Sequence, residues 1–323
     1  MHKSNNLFIL QAIDDIATMK TESNSLKAVF FALGGNLIIS LIKFIVATIS
    51  GSSAMFAEAI HSLVDSTNQV FLLIGNKRSR KNADEIHSLG YGKEEYFWGF
   101  LVAVLLFFLG GVFSIYEGIH KWMNPEPINK FGYIFGVLIA SIIIEYKSFS
   151  VAFKEFKKTS GTNVITSLKQ STETNIFVIL IEDFAALTGL GIVLITTLLS
   201  LINPIFDVFG SLMVGCLLIV MSYFLSNELR KLMIGENISR EMRNNVKAIV
   251  HSYKTIEHIN TLRSMYIGNN RFLLLLSVDV DDYAKGYTIE NVIEQIKVEI
   301  QEKYPNAQYI YIDVKDSERN TLA

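Results

Sequence analysis

The 323-residue chain contains a single cysteine, Cys216, and it lies inside an apolar run. One thiol excludes a disulfide framework and a cysteine-built zinc site, so Cys216 reads as a small buried hydrophobe. A basic excess is also missing: 29 Lys and Arg face 31 Asp and Glu, for a formal net charge of −2. Nothing is left over to neutralise a run of phosphates, which argues against nucleic acid as a partner. The N-terminal stretch MHKSNNLFILQAIDDIATMK has only four consecutive apolar residues. That is too short for the core of a signal peptide, and the stretch reads as a short amphipathic surface helix. A membrane metalloprotease would need a base glutamate next to a ligand histidine, as in H-E-x-x-H, but Ser62 follows His61. No Ser/His/Asp set or glycine-rich phosphate loop is evident either, so the chain reads as something other than an enzyme.

What the chain does have is apolar length. Hydrophobic residues make up 50% of it, concentrated before residue 227. Crossing a bilayer takes about 20 mostly apolar residues, and six segments reach that length: 28–49, 54–75, 97–118, 132–153, 175–200 and 205–225. SGSS joins the first two, and LINPIFD, with Pro204 as breaker, joins the last two. Trp98 and Trp122 bracket the third span, as interfacial tryptophans do. The expected architecture is an all-α bundle of six transmembrane helices over residues 27–227, preceded by a cytoplasmic segment 1–26.

Loop charge orients the bundle. Lys77, Arg78, Arg80 and Lys81 follow the second span; Lys154, Lys157, Lys158 and Lys169 follow the fourth; Arg230 and Lys231 follow the sixth. On the other side SGSS and LINP carry no basic residue, and the third-to-fourth link has only Lys121 and Lys130. Basic loops favour the cytoplasm, which places both termini there. The tail, 228–323, has mixed charge and an α-β-β-α-β pattern: a helix over 239–252, strands near 261–267 and in RFLLLLSVDV, the helix TIENVIEQIKVEIQEKY, and the strand AQYIYIDV. That order fits a small α+β sheet with helices on one face.

The second span contains AEAIHSLVDSTNQ. Glu58, His61, Asp65 and Asn68 recur at i, i+3, i+7 and i+10 and so share one helix face. An ionised group at membrane depth costs a few kcal/mol even on the mildest scale (about 2.5–3.5), so it needs a partner, a metal or water. An imidazole and a carboxylate four residues apart can reach one cation, and that N/O pair suits zinc and its first-row neighbours. In the fifth span, NIFVILIEDFAALTGL, Glu182 and Asp183 interrupt the apolar run near its middle. The candidate metal ligands are therefore His61, Asp65 and Asp183, with Glu182 as fourth ligand or supporting acid. Small neighbours at Ala186 and Gly189 would let another helix approach closely. Asn36, Ser40 and Lys43 in the first span read as interhelical glue, and Glu145 and Lys147 as a paired or snorkelling cytoplasmic end. Glu58 is either an acid on the access path or a structural group.

GSSAMFAEAIHSLVDSTNQ, ADEIHSLGYGKEEY and the character of IIIEYKSFSVA together resemble the cation diffusion facilitator family of divalent-metal transporters, over nearly the whole chain. The resemblance implies six transmembrane helices, a cytoplasmic ferredoxin-like domain and a homodimer. It further implies proton-coupled antiport of a divalent cation out of the cytoplasm by alternating access, in the cell (inner) membrane. His61 and Asp65 match the zinc-type pair on the family's second helix. Asp183 matches one fifth-helix ligand, but the position four earlier is Ile179, which cannot bind metal. The Glu182–Asp183 dipeptide resembles a divergent branch that includes a mitochondrial zinc transporter of animals. The implied cargo is zinc. An oxygen-richer site would favour manganese or ferrous iron, with cobalt a further alternative, and no organic cofactor is implied.

Asp84 and His87 match half of the family's second site, with Tyr91 in place of a third ligand, and read instead as a turn. Lys93 matches a lysine of the membrane-to-cytoplasm contact. In the tail, the only histidines are His251 and His258, and the strand positions for metal ligands are Leu276 and Ile312 or Asp313, so no binuclear zinc site is expected. Asp279, Asp281 and Asp282 read as a solvated turn. A membrane scaffold that moves no metal is the remaining alternative, resting on the ligand missing at Ile179.

Overall fold

The computed structural model describes residues 33–124, 127–160, 174–268 and 270–316, without the side chains of 152, 155, 156, 158–160 and 174–181. The expected 1–26 segment, Lys169 and the Ile179 side chain lie outside the described residues.

The membrane helices are α1 (Leu33–Ser50), α2 (Ser53–Ser79), α3 (Glu94–Met123), α4 (Phe131–Ser160), α5 (Thr174–Ser200) and α6 (Ile205–Ile234). Among the described residues, five of these, all but α2, are long and apolar enough to cross a membrane. The exception is the helix with the most polar residues in its middle. In α1 the usual helix pattern is inverted: Leu37, Ile38, Leu41, Ile42 and Ile45 are exposed, while Ser40, Lys43 and Ser50 are buried. Such a face suits hydrocarbon, and the polar groups it turns inward must find partners within the protein. Cys216, expected to be buried, is exposed. It shares the apolar outer face of α6 with Met213 and Val220, because in lipid the outside of a helix is also apolar.

The chain packs as two compact bodies. The first comprises the described residues of Met1–Phe71, Leu105–Tyr146 and Ala185–Val220. Here α3 departs from a regular helix: Leu106–Val112 forms a π-helical stretch around Gly110 and Gly111. A side chain at Gly111 would collide with Ile219 and the Gly215 carbonyl, and one at Gly215 with Ile115 and the Gly111 carbonyl. The two helices thus cross backbone to backbone at paired glycines, as membrane helices do where small residues coincide.

The second body comprises Leu72–Val104, Lys147–Phe184 and the described residues of Met221–Ala323. It contains α7 (Arg240–His251), β1 (Ile256–Gly268), β2 (Arg271–Val280), α8 (Gly286–Lys303) and β3 (Ala307–Val314), the expected α-β-β-α-β order. The sheet runs β1-β2-β3, with β1 antiparallel and β3 parallel to the central β2. Strand β1 begins five residues before the sequence pattern suggests. Register shifts between Ile256 and His258 and between Ile259 and Thr261 break the alternation there, and without strict period 2 the strand signal is lost.

Tyr96, Leu229 and Leu232 share one core with Ile249, Leu274 and Ile296, so the ends of α3 and α6 pack directly on the α/β segment. Two polar ties reinforce this packing. Lys93 Nζ donates to the Met233 carbonyl at 3.2 Å, and Arg271 donates to the Ser79 carbonyl at the end of α2 at 3.2 Å. Cations there satisfy carbonyls that a helix C-terminus leaves open. Gly92 meets the Ile267–Gly268 backbone so closely that neither glycine has room for a Cβ.

Candidate metal site

Helix α2 positions His61 and Asp65, and its N-terminus is capped twice. Ser52 Oγ accepts from the Met55 amide at 3.0 Å, and the Asp207 carboxylate of α6 accepts from the Ser53 amide at 2.7 Å. An acid at that end also faces the positive pole of the helix dipole. Asp207 is completely buried. The Ser52 and Ser53 hydroxyls donate to it as well, and Lys121 Nζ pairs with it at 2.9 Å while also donating to the Gly51 carbonyl. Local sequence pattern does not reveal this cluster. SGSS read as a plain linker and Lys121 as a loop cation, whereas Lys121 lies in the last turn of α3, only 6% exposed. A cavity of about 340 Å³ adjoins it, lined by Thr48, Gly51, Ser53, Glu117, His120 and Asn124 among others.

Two turns into α2, Lys43 of α1 reaches across to Glu58 Oε1 at 3.0 Å and to Ser62 Oγ at 2.6 Å. Lys43 and Glu58 are each 1% exposed. Lys43 thus serves as the interhelical glue expected of it, with Glu58 as its partner. His61 lies between the two clamped residues and is 4% exposed. Its Nε2 is 3.6 Å from Asp65 Oδ2, within reach of an ion pair but too far for a good hydrogen bond. Both of its ring nitrogens are buried without a hydrogen-bond partner among the described residues. A histidine kept for structure would be satisfied by its surroundings; this one presents nitrogen lone-pair chemistry beside a carboxylate, which is what a divalent ion requires. The Asp65 side chain is 33% exposed.

The other two expected ligands belong to the second body. Asp183 Oδ2 accepts from Ser148 Oγ of α4 at 3.0 Å. Glu182 and Asp183 are both half-buried. Within neither body, among the described residues, do three His, Cys, Asp or Glu side chains stand close enough together to hold an ion. His61 and Asp65 belong to the first body, and Glu182 and Asp183 to the second.

Asp84 and His87 form a turn. Asp84 Oδ1 accepts from the Ile86 and His87 amides at 3.0 and 2.7 Å, and Tyr91 donates its hydroxyl to Oδ2 at 2.6 Å. The Tyr91 hydrogen bond, with help from the His87 amide, holds the Asp84 carboxyl below the ordinary carboxylate range. The same bond raises the Tyr91 phenol. In the sheet Leu276 pairs with Ile312 and is buried in the core, and Asp281 Oδ1 caps the Tyr283 amide at 2.9 Å.

Residues 29–234 match the family model of the cation efflux transmembrane domain. The chain is 30% identical over 285 residues to the proton-coupled zinc antiporter SLC30A9, mitochondrial, of Mus musculus, covering 85% of this chain and 50% of the relative. It is 28% identical to metal tolerance protein C4 of Arabidopsis thaliana, covering 80% and 58%. To the manganese efflux system protein MneP of Bacillus subtilis (strain 168) it is 23% identical, covering 91% and 96%. The chain thus spans about half the length of the SLC30A9 relatives it matches.

Proposed function

Because the chain belongs to the cation efflux family, a family of transporters and not of enzymes, we propose that this multi-pass integral membrane protein exports zinc from the cytoplasm in exchange for protons. The supporting observation is His61: an imidazole whose two buried nitrogens have no hydrogen-bond partner among the described residues, 3.6 Å from a carboxylate. In this reading His61 and Asp65 supply one half of the cation's shell and Asp183 the other, with Glu182 as fourth ligand or supporting acid. Alternating access exposes the bound ion first to one side of the membrane and then to the other. Ligands must shed protons before metal binds, so loading the site expels protons. Both termini face the cytoplasm, the divisions 1–26, 27–227 and 228–323 mark segment, membrane domain and cytoplasmic domain, and the host is the cell (inner) membrane.

The direct test is ion-by-ion transport in proteoliposomes across a set pH gradient. Zinc uptake coupled to proton release is expected, and no movement of any divalent ion would leave only the scaffold reading. Manganese is the second candidate, supported by the likeness to a manganese efflux protein and by Ile179, where a ligand is missing and the site is left richer in oxygen. Ile179→His should restore a nitrogen ligand and shift competition between zinc and manganese toward zinc; an unchanged competition profile would show that residue 179 does not set selectivity. The cytoplasmic domain would serve to pair subunits without needing metal. Full-length protein in detergent should therefore sediment as a dimer in the presence of a chelator, and a chelator-induced monomer would count against this.

A further inference from the structure

We propose that Glu58 and His61 form a second stopping point for the transported cation, one helical turn further along α2, and that the Lys43 ammonium occupies it between transport events. This rests on the transport reading above. Glu58 and His61 are three residues apart, so their side chains are neighbours on one helix face, with Cβ atoms roughly 5–6 Å apart. Three buried polar atoms on this turn have no hydrogen-bond partner among the described residues: Glu58 Oε2, His61 Nδ1 and His61 Nε2. An ion pair kept only for stability has its remaining lone pairs satisfied, whereas half of this carboxylate is unsatisfied.

The position already accepts positive charge, since Lys43 Nζ bonds the other Glu58 oxygen at 3.0 Å and is steadied by Ser62 at 2.6 Å. Space is left on the open side. Gly189 of α5 faces Oε2, and a methyl there would come within 3.4 Å of it. Side-chain exposure falls along α2 from 33% at Asp65 to 6% at His61 and 1% at Glu58, which orders the three groups from accessible to sealed. A dication held by His61 and Asp65 repels the nearby ammonium in a medium of low dielectric. The flexible four-carbon stem of Lys43 lets it withdraw, and the ion can then pass from Asp65 to Glu58 while His61 keeps hold of it. When the ion leaves, the ammonium returns to Glu58, so the carboxylate is never left without a counter-charge.

The test uses the full chain in proteoliposomes, with zinc initial rates under a set pH gradient and thermal midpoints in detergent. K43M/E58M removes the pair without changing net charge, and apolar replacements of a buried ion pair commonly keep stability. We expect its midpoint to stay near that of the unsubstituted protein, its zinc KM to stay within about threefold, and its maximal rate to fall at least tenfold. A pair with a purely structural role would give the unaltered maximal rate, and that result overturns the proposal. Should K43M/E58M fail to fold, Gly189→Ala decides, because its methyl fills the space beside Oε2 that an ion would need and leaves the pair intact: a several-fold lower rate at unchanged KM supports the stop, and an unaltered rate overturns it. Asp65→Ala separates the two levels of the argument. If Asp65→Ala abolishes transport while K43M/E58M and Gly189→Ala transport normally, only the Glu58 stop falls; if the unsubstituted protein moves no ion, the transport reading itself falls.

Discussion

Asp65→Ala should lower zinc-coupled proton movement at least ~100-fold, since a direct ligand is worth more than the 10–100-fold that an outer-shell group costs when removed. The substitution is also structurally mild. Among the described residues Asp65 makes only the 3.6 Å approach to His61, longer than a good hydrogen bond, and its side chain is one-third exposed, so the protein should fold and insert as before. A loss of transport with an unchanged melting profile would assign Asp65 to the ion rather than to the fold. Undiminished proton movement would remove the second-helix half of the site.

The second large effect concerns stability. Asp207 is the buried counter-charge of Lys121, and it accepts from the Ser52 and Ser53 hydroxyls and the Ser53 amide. Asp207→Ala would leave the Lys121 ammonium buried without its counter-ion and the start of α2 short of a cap. Breaking a buried pair from one side costs about 3–5 kcal/mol, so the thermal midpoint in detergent should drop by roughly 10 °C on the scale of a few degrees per kcal/mol. Removing the charge on both sides, as in Lys121→Met with Asp207→Leu, should recover much of that loss. A midpoint for Asp207→Ala within a degree or two of the unsubstituted protein would mean that the cluster does not hold α2 in place.

These two aspartates mark what could and could not be read in the sequence. The placement of Asp65 beside His61 is legible, because their spacing puts both on one helix face, and an acid in the middle of an apolar run is costly wherever the helix packs. That of Asp207 is not, because an acid in the first turn after Pro204 looks like an ordinary helix start. Its three partners come from residues 86 to 155 positions away, a distance that local periodicity does not bridge. Lys43 lay between these cases: a lysine inside a span demands a partner, but the sequence offers no means of choosing Glu58 among the bundle's acids. The αββαβ order was legible from apolar patterning, and only the start of β1 was obscured by its bulges. Cys216 was misread because burial was inferred from hydrophobic neighbours, a rule that fails where the surroundings are lipid. The π-helical stretch of α3 lies where its glycines meet those of α6, a pairing that becomes visible only once the two helices are side by side.

The most direct measurement is an anomalous-scattering map of the zinc-loaded protein at the zinc edge. The account predicts a peak about 2.0–2.2 Å from a His61 ring nitrogen and from oxygens of Asp65 and Asp183, the usual zinc distances. Zinc density found only at surface groups such as Asp84 and His87, with the His61 imidazole and the Asp183 carboxylate directed away from each other, would contradict it.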